Sequence, residues 1–547
     1  MRLNLSLAWR VAGAGVFLLL AGLLQAWSLA WPFGLLWPRG EPVAGLQILS
    51  LAALIPLLHA VATARAAFFR GWIFSTSWLA GAFWWLFVSM HTYGGLPVLL
   101  AVLGVLALAG ALALFYALAA ASYWRWRAAR LRWRLPIFVA LWTLAELARG
   151  TVFTGFPWGA GGYAQVDALA PLAPWVGVYG MGAVAAALAL LLAEIIAALI
   201  GRSGSAGLLQ RGSGPVRAAS LAGGLACAAG LMLLLWPGAA RHWAGWVPAW
   251  TRSTGVMSVA LLQGNIPQDE KFQPGSGVPM ALSWYGQEAR AALLREGASL
   301  VVAPETAIPL LPQLLAPDWW QPLLQAVAQG QSALTLGLPL GSLEQGYTNS
   351  ALSWTPGVRV PLRYDKQHLV PFGEFVPTGF RWFTDLMQIP LGDFRRGATV
   401  QPTLDWAGQR IAPNICYEDL FGEELARGFV DPARAPTVLL NLSNIAWFGD
   451  TVAIDQHRQI SRLRALELQR PMLRATNTGA TVAIDHLGRV THELPRLTRG
   501  VLEAEVEGRA GLTPYARWAG RFGLWPLALL CLAILLLGWR RSGLSRP

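Results

Sequence analysis

Three residues in the C-terminal half have the types that acyl chemistry needs. Glu305 lies in "PETA", Lys366 in "RYDKQHLVPFGE" and Cys416 in "NICYED". A thiol with an ordinary pKa of about 8.5 is mostly protonated at neutral pH, so it needs a base or a positive field before it attacks a carbonyl. Glu305 can take that proton. Lys366 can stabilise the thiolate and then the oxyanion of a tetrahedral intermediate. The acids beside the cysteine, Glu418 and Asp419, cannot help to make a thiolate, so they should point elsewhere or meet a cation. Each residue also has an ordinary reading: a Glu after Pro that caps the next segment, a small buried thiol, a solvated ammonium. Lysine usage argues against the last for Lys366. Of 42 basic residues only Lys271 and Lys366 are lysines. Where charge alone suffices this sequence uses arginine, and an ammonium is a compact charge that a guanidinium does not imitate. Lys271 is expected to be a solvated charge, with Lys271→Arg silent.

The elements that must position these residues begin near Met257. From there short β-type runs alternate with helical patterns, as in a layered α/β domain. "MSVALLQGNI", "ASLVVAPETAIP", "SALTLGLPLG", "IAPNICYEDLF" and "TVLLNLSNIAWFGD" read as strands, several with polar residues at their C-terminal ends. In α/β folds that edge is where sites are built. "WYGQEARAALLREG" and "QHRQISRLRALELQRPMLRA" read as helices, and "TVAIDHLGRV" as a strand and turn.

The N-terminal half is of another kind. The chain has 547 residues, 55% hydrophobic and 13% charged, too apolar for an ordinary soluble protein. Spanning a bilayer takes roughly 20 apolar residues in a helix. Candidate spans lie near 11–31, 45–64, 72–92, 97–121, 136–150, 174–200, 218–236 and 521–539. The first lacks the small-residue cleavage site of a signal peptide, and more spans follow it. Residues 1–250 hold 15 Arg and 4 acids, so the net charge of +13 belongs mainly to this half. Nucleic-acid binding needs a basic face on a folded soluble domain, which this pattern does not provide. The arginines instead cluster between spans: Arg65 and Arg70, five in "YWRWRAARLRWR", then Arg202, Arg211 and Arg217, and Arg540, Arg541 and Arg546 at the end. With eight spans they all fall on one side, which places both termini in the cytoplasm and the segment 240–515 outside.

Cys227 and Cys531 lie in apolar runs and are expected to be inert. Three cysteines without regular spacing fit neither a disulfide framework nor a structural zinc site. Glu146 and Arg149, spaced i,i+3, read as a local ion pair reaching to the interface. "GTVFTGFPWGAGGYAQ" then reads as an interfacial aromatic loop, with a lipid-entry lip as the alternative. His59 and His91 are isolated and do not read as ligands.

"PETA", "DKQHLVPFGEFVP" and "NICYEDLF" together resemble the Glu-Lys-Cys set of the nitrilase, or carbon–nitrogen hydrolase, superfamily. They occur in order over about 110 residues. The resemblance implies an αββα sandwich, with Glu305 as general base, Lys366 as oxyanion stabiliser, Cys416 as nucleophile and Glu374 in support, alongside Tyr417 and Glu418. Nitrilases proper are soluble. Such a domain set between seven spans and an eighth is similar to the bacterial apolipoprotein N-acyltransferase family, as are "ELARGTVFTGFPW" and "NLSNIAWFGD". The expected architecture is therefore a polytopic α-helical membrane domain (1–240), a nitrilase-like α/β extracytoplasmic domain (255–510) and a C-terminal span with its tail (519–547).

What this family implies is a two-step transfer in the inner membrane, with the α/β domain in the periplasm. The thiolate takes an acyl chain from a phospholipid, typically phosphatidylethanolamine, as a thioester. The α-amino group of an S-diacylglyceryl-cysteine at the N-terminus of an apolipoprotein then takes it. An ester is enough to charge the cysteine, so no cofactor or metal is expected. In "AWFGD", Trp447 and Phe448 are expected to touch acyl chains or the bilayer surface, with a place in the core as the alternative. A membrane-anchored amidase could use the same residues, but one tethering helix would serve it. A transporter or scaffold would bury more ionisable residues in its spans.

Overall fold

The computed structural model describes residues 5–127, 131–199, 230, 244–295, 297–376 and 394–542. They pack as two units. One draws on Met1–Trp84, Val102–Val247 and Leu524–Pro547, the other on Trp85–Ala101 and Pro248–Gly523.

The first unit is helical: α1 (Leu5–Trp27), α2 (Ala44–His59), α3 (Ala64–Ala82), α4 (Val98–Trp126, in this unit from Val102), α5 (Leu131–Thr151), α6 (Ala173–Leu199) and a last helix, Trp525–Ser542. Among the described residues three helices, or five if each of two bent pairs counts once, are long and apolar enough to cross a membrane. In an apolar surround helices are held by close approach and by hydroxyl bonds. Both join α1 to its neighbours: a Cβ on Gly22 would strike the Phe74 carbonyl of α3, Ser77 donates to the Leu19 carbonyl (2.7 Å) and Ser50 to that of Ala21 (2.6 Å). Apart from Gly230, the expected span 218–236, with Cys227, and the loop 201–217 lie outside the described residues.

Two expectations for this half are corrected. The span near 72–92 is interrupted. α3 stops at Ala82, where Phe83 leaves helical geometry (φ −130°, ψ 33°), and Trp85–Ala101 packs with the second unit. Trp85 finds its partner there, donating from its buried indole to Gln456 Oε1 (3.1 Å). Nor do Glu146 and Arg149 reach out to an interface, because both are buried. Arg149 donates to the Tyr116 hydroxyl (2.9 Å) and to the carbonyls of Phe156 (2.5 Å) and Trp158 (2.7 Å). Glu146 accepts from the Gly161 N–H (3.0 Å). Backbone groups in an apolar surround have no water to satisfy them, and this pair supplies the partners that fold the loop after α5 back on itself.

The second unit holds β1 (Thr251–Gln263), β2 (Leu300–Val302), β3 (Ala333–Ser342), β4 (Gly346–Trp354), β5 (Leu362–Asp365), β6 (Leu404–Trp406), β7 (Gln409–Ile415), β8 (Val438–Ser443), β9 (Met472–Thr476), β10 (Val482–Ile484), β11 (Val490–Glu493) and β12 (Gly500–Gly511). They form two six-stranded sheets, β12-β1-β2-β3-β4-β5 and β11-β10-β9-β8-β7-β6. Period-two alternation builds the layers. Val259 and Leu261 of β1 face the core between the sheets, with Val302, Ile411, Leu440 and Leu473. Ala260 and Leu262 face the opposite way, onto Tyr285 and Ala289 of α7 (Gly277–Leu294) and Leu323 of α8 (Pro317–Gln329). With α9 (Val452–Leu468) packed on β9, the order is helix, sheet, sheet, helix. The unit closes with α10 (Pro514–Phe522).

One expected helix is also cut short. "QHRQISRLRALELQRPMLRA" is helical only to Leu468. Gln469 turns left-handed (φ 46°), Pro471 cannot continue a helix, and Met472 opens β9. The central strands β1-β2-β3 and β7-β8-β9 run parallel within their sheets. Glu305 and Cys416 follow the C-terminal ends of two of these, β2 and β7, and Lys366 that of the antiparallel β5.

Candidate active site

Glu305 follows β2 after Pro304, Lys366 is the first residue after β5, and Cys416 the first after β7. Cys416 has φ 53°, a left-handed conformation that side-chain-bearing residues seldom adopt outside functional sites. The chain therefore breaks its strand at the thiol. Asn441 Nδ2 holds the Cys416 carbonyl at 3.1 Å.

The charged groups converge in a buried cluster. Lys366 Nζ donates to Glu305 Oε1 (3.2 Å) and Glu374 Oε1 (2.9 Å). Asn349 Nδ2 donates to the same two oxygens, both at 2.7 Å. The other Glu305 oxygen accepts from the Asn444 N–H (2.8 Å), and the other Glu374 oxygen from the Val370 N–H (2.8 Å). Lys366 thus gives two of its three N–H donors to carboxylates, and among the described residues the third has no acceptor.

Protonation follows from these contacts. Burial works against a charged Glu305, but Lys366, Asn349, Lys271 and the Asn444 amide outweigh it and hold the carboxyl below its usual range. Burial likewise works against the Lys366 ammonium, and the charges of Glu305 and Glu374 raise it above the ordinary lysine value. Burial, with the Glu305 charge, pushes the Cys416 thiol up to about 12, against the pull of Lys366, Ser443 and Arg474. At rest the site is a thiol beside an ionised carboxylate and an ammonium. Such an arrangement can pass a thiol proton to a carboxylate as a carbonyl is attacked.

The acids beside the cysteine do point elsewhere. Asp419 accepts from His457 (2.7 Å), Ser461 (2.5 Å) and Arg474 (3.2 Å). Arg474 also donates to His457 Nδ1 (2.7 Å), so that imidazole is neutral with its proton directed at Asp419. Glu418 is a clamp. It accepts from the N–H groups of Ile415 (2.6 Å), Gln367 (2.6 Å) and His368 (3.1 Å) and from the Tyr364 hydroxyl (2.8 Å), tying the Cys416 turn to the Lys366 segment. Burial lifts its pKa to about 7. Tyr417 is buried against Phe421 and His368.

Trp447 and Phe448 do not converge on the Glu-Lys-Cys cluster. The Phe448 ring lies 4.2 Å from that of Trp85, and Trp447, 39% exposed, meets Tyr93 edge-on at 5.9 Å. Lys271 is not a solvated charge. It is 1% exposed, and its Nζ donates to the Thr306 hydroxyl (2.8 Å) and the Glu305 carbonyl (3.3 Å). Pairing across 34 residues, invisible in the sequence, puts it there. Its rarity among the basic residues was the available signal, and it applied to both lysines alike. Asn349, Asn444 and Arg474 carry no such signal, since each acts through a strand pairing or a loop approach. Among the described residues no three His, Cys, Asp or Glu side chains come together as metal ligands.

The sandwich and its strand-end cluster define a carbon–nitrogen hydrolase domain, and that family matches residues 258–515. A second family, the apolipoprotein N-acyltransferase N-terminal domain, matches residues 26–191. The apolipoprotein N-acyltransferase of Verminephrobacter eiseniae is 53% identical over 533 residues, covering 95% of this chain and 94% of its own. That of Ralstonia nicotianae is 44% identical over 505 residues (90% and 88%), and that of Bordetella bronchiseptica 41% over 545 (93% and 92%). The chain belongs to the apolipoprotein N-acyltransferase family.

Proposed function

We propose that this protein is a multi-pass membrane acyltransferase. It moves an acyl chain from a phospholipid, phosphatidylethanolamine being the donor we favour, to the α-amino group of the S-diacylglyceryl-cysteine that begins an apolipoprotein. The observation that carries this reading is the buried Glu305–Lys366–Cys416 cluster at three strand ends. In the first step Cys416 sulfur bonds to the acyl carbon while its proton passes to Glu305. Lys366 faces the oxyanion. The C–O bond to the lipid glycerol then breaks, and the lysophospholipid leaves with the proton from Glu305. In the second step the acceptor amine attacks the thioester and gives a proton to Glu305. The C–S bond breaks and the thiol is restored.

Glu374 and Asn349 keep Glu305 and Lys366 in register, and Glu418 sets the Cys416 turn. Trp447, the more open of the loop aromatics, is the one suited to meet acyl chains, while Phe448 braces the loop. The arginine pattern supports a membrane half within 1–240, a catalytic domain within 255–510 facing the periplasm, a final span within 519–547, and cytoplasmic termini in the inner membrane. The test is mass spectrometry of the purified protein with phospholipid. A single acyl adduct on Cys416 is expected, chased by a diacylglyceryl-cysteine peptide and absent from Cys416→Ala. An adduct that survives in Cys416→Ala would overturn the reading.

A further inference from the structure

The second lysine is in the wrong place for a bystander. Lys271 lies between β1 and α7, and its ammonium spans the Glu305–Thr306 peptide, bonding the carbonyl on one side and the hydroxyl on the other. Thr306 has φ 45°, so this is the strained turn that re-aims the chain just after the base. Among the described residues both acceptors are neutral, and no carboxylate lies within salt-bridge distance of Nζ. A buried cation without a bonded counter-ion is expensive to keep, yet the chain keeps it beside the reacting groups.

We propose that Lys271 is a positioning residue for the base: it grips the Glu305–Thr306 turn and supplies part of the positive field in which Glu305 takes the Cys416 proton. This rests on the Glu305–Lys366–Cys416 reading above. The ionisable groups that face Lys271 are Glu305 and Cys416, and both favour its charge. Burial opposes them and brings its pKa down to about 7, so its charge is carried at the expense of the fold. Conversely, the Lys271 charge helps to hold the Glu305 carboxyl low. An arginine would carry the charge, but its planar fork does not match two acceptors on one peptide turn.

The experiment is single-turnover acylation of Cys416 as a function of pH, on the full chain in phospholipid–detergent micelles. Lys271→Met should slow acylation on the order of 10²-fold, the scale of a misplaced catalytic group. It should also move the acidic limb of the profile to higher pH, because Glu305 then loses a cation that favours its ionised form. Lys271→Arg should be slowed with the acidic limb in place. Thr306→Val removes one grip and keeps the charge, so it should lower kcat roughly tenfold with KM and the limb unchanged. Near-native acylation in Lys271→Met overturns the proposal, as does slow acylation with an unmoved limb. Should Lys271→Met not fold, Thr306→Val decides, and a native kcat there overturns it. Cys416→Ala is measured alongside. An acyl adduct in that variant would overturn the underlying reading, whereas an inert Cys416→Ala beside a native Lys271→Met would overturn this inference alone.

Discussion

Two of the buried carboxylate–cation sets in this protein are built differently. In the helical unit, Glu146 and Arg149 bond almost wholly to backbone and to Tyr116. Arg149 meets three carbonyls of the loop after α5, those of Phe156 and Trp158 closely and that of Pro157 at 3.5 Å. In the α/β unit, Glu305 and Glu374 each bond Lys366, Asn349 and one backbone N–H, and among the described residues one Lys366 N–H is left without an acceptor, with a thiol nearby. Burial of charge is common to both, so burial alone does not mark a reactive site. What separates them is what the cation meets. Arg149 is spent on Tyr116 and the carbonyls of one loop, which holds the chain in place, whereas Lys366 has an N–H that can bond a group that is not yet present.

The strongest way to break this contrast is to neutralise the base. Glu305→Gln should cost acyl transfer about 10²–10⁴-fold, the range for a general base. The same change removes a negative charge beside Cys416, so the thiol should titrate at lower pH than in the native protein. Alkylation of Cys416 followed against pH, beside single-turnover acylation, would show the two effects diverging. If both fell together, the carboxylate would be serving structure.

Next in size is Lys366→Arg, which keeps the charge and loses the point-like ammonium. A loss of about 10²–10³ in kcat is expected, with unfolding temperature close to native. Near-normal acylation would reduce Lys366 to a counter-ion. For the helical unit the expectation reverses. Arg149→Gln should destabilise the folded protein by about 3–5 kcal/mol, because it strands a buried carboxylate and several carbonyls. Acylation per folded molecule should be unchanged. Thermal unfolding and active-site titration together would reveal a catalytic role if one existed.

The smallest effect sharpens the boundary between the two kinds of set. Four donors converge on Glu418, so Glu418→Gln turns an amide N–H₂ against at least one of them and should cost about 1–3 kcal/mol. The sign with pH is defined. Burial raises the Glu418 pKa from 4.5 to about 7, so between those values the folded state holds more protons than the unfolded one. This part of the stability is present at low pH and falls as pH rises through that window. Denaturant unfolding at several pH values should show the decline in native protein and a shallower one in Glu418→Gln, where Glu423, which burial likewise lifts to about 7, keeps its share.

How far the primary structure reaches is clear from particular residues. Glu305, Lys366 and Cys416 announce themselves because their types and strand-end positions are local properties, and the apolar and alternating patterns that separate the two halves are local too. Period-two alternation likewise determines which residues of β1 face each layer. Lys271 and Asn349 are another matter. One is an ammonium in a loop and the other an amide within β4, and only the meeting of β2 with distant segments turns them toward Glu305. The fate of Trp85 depends on Gln456, 371 residues away, and that of Arg149 on carbonyls whose direction a loop sets. Composition and periodicity report what a residue is and which face it prefers. Which of its hydrogen-bonding groups are satisfied, and therefore whether a buried charge is structural or reactive, is decided only when remote backbone and side chains close around it.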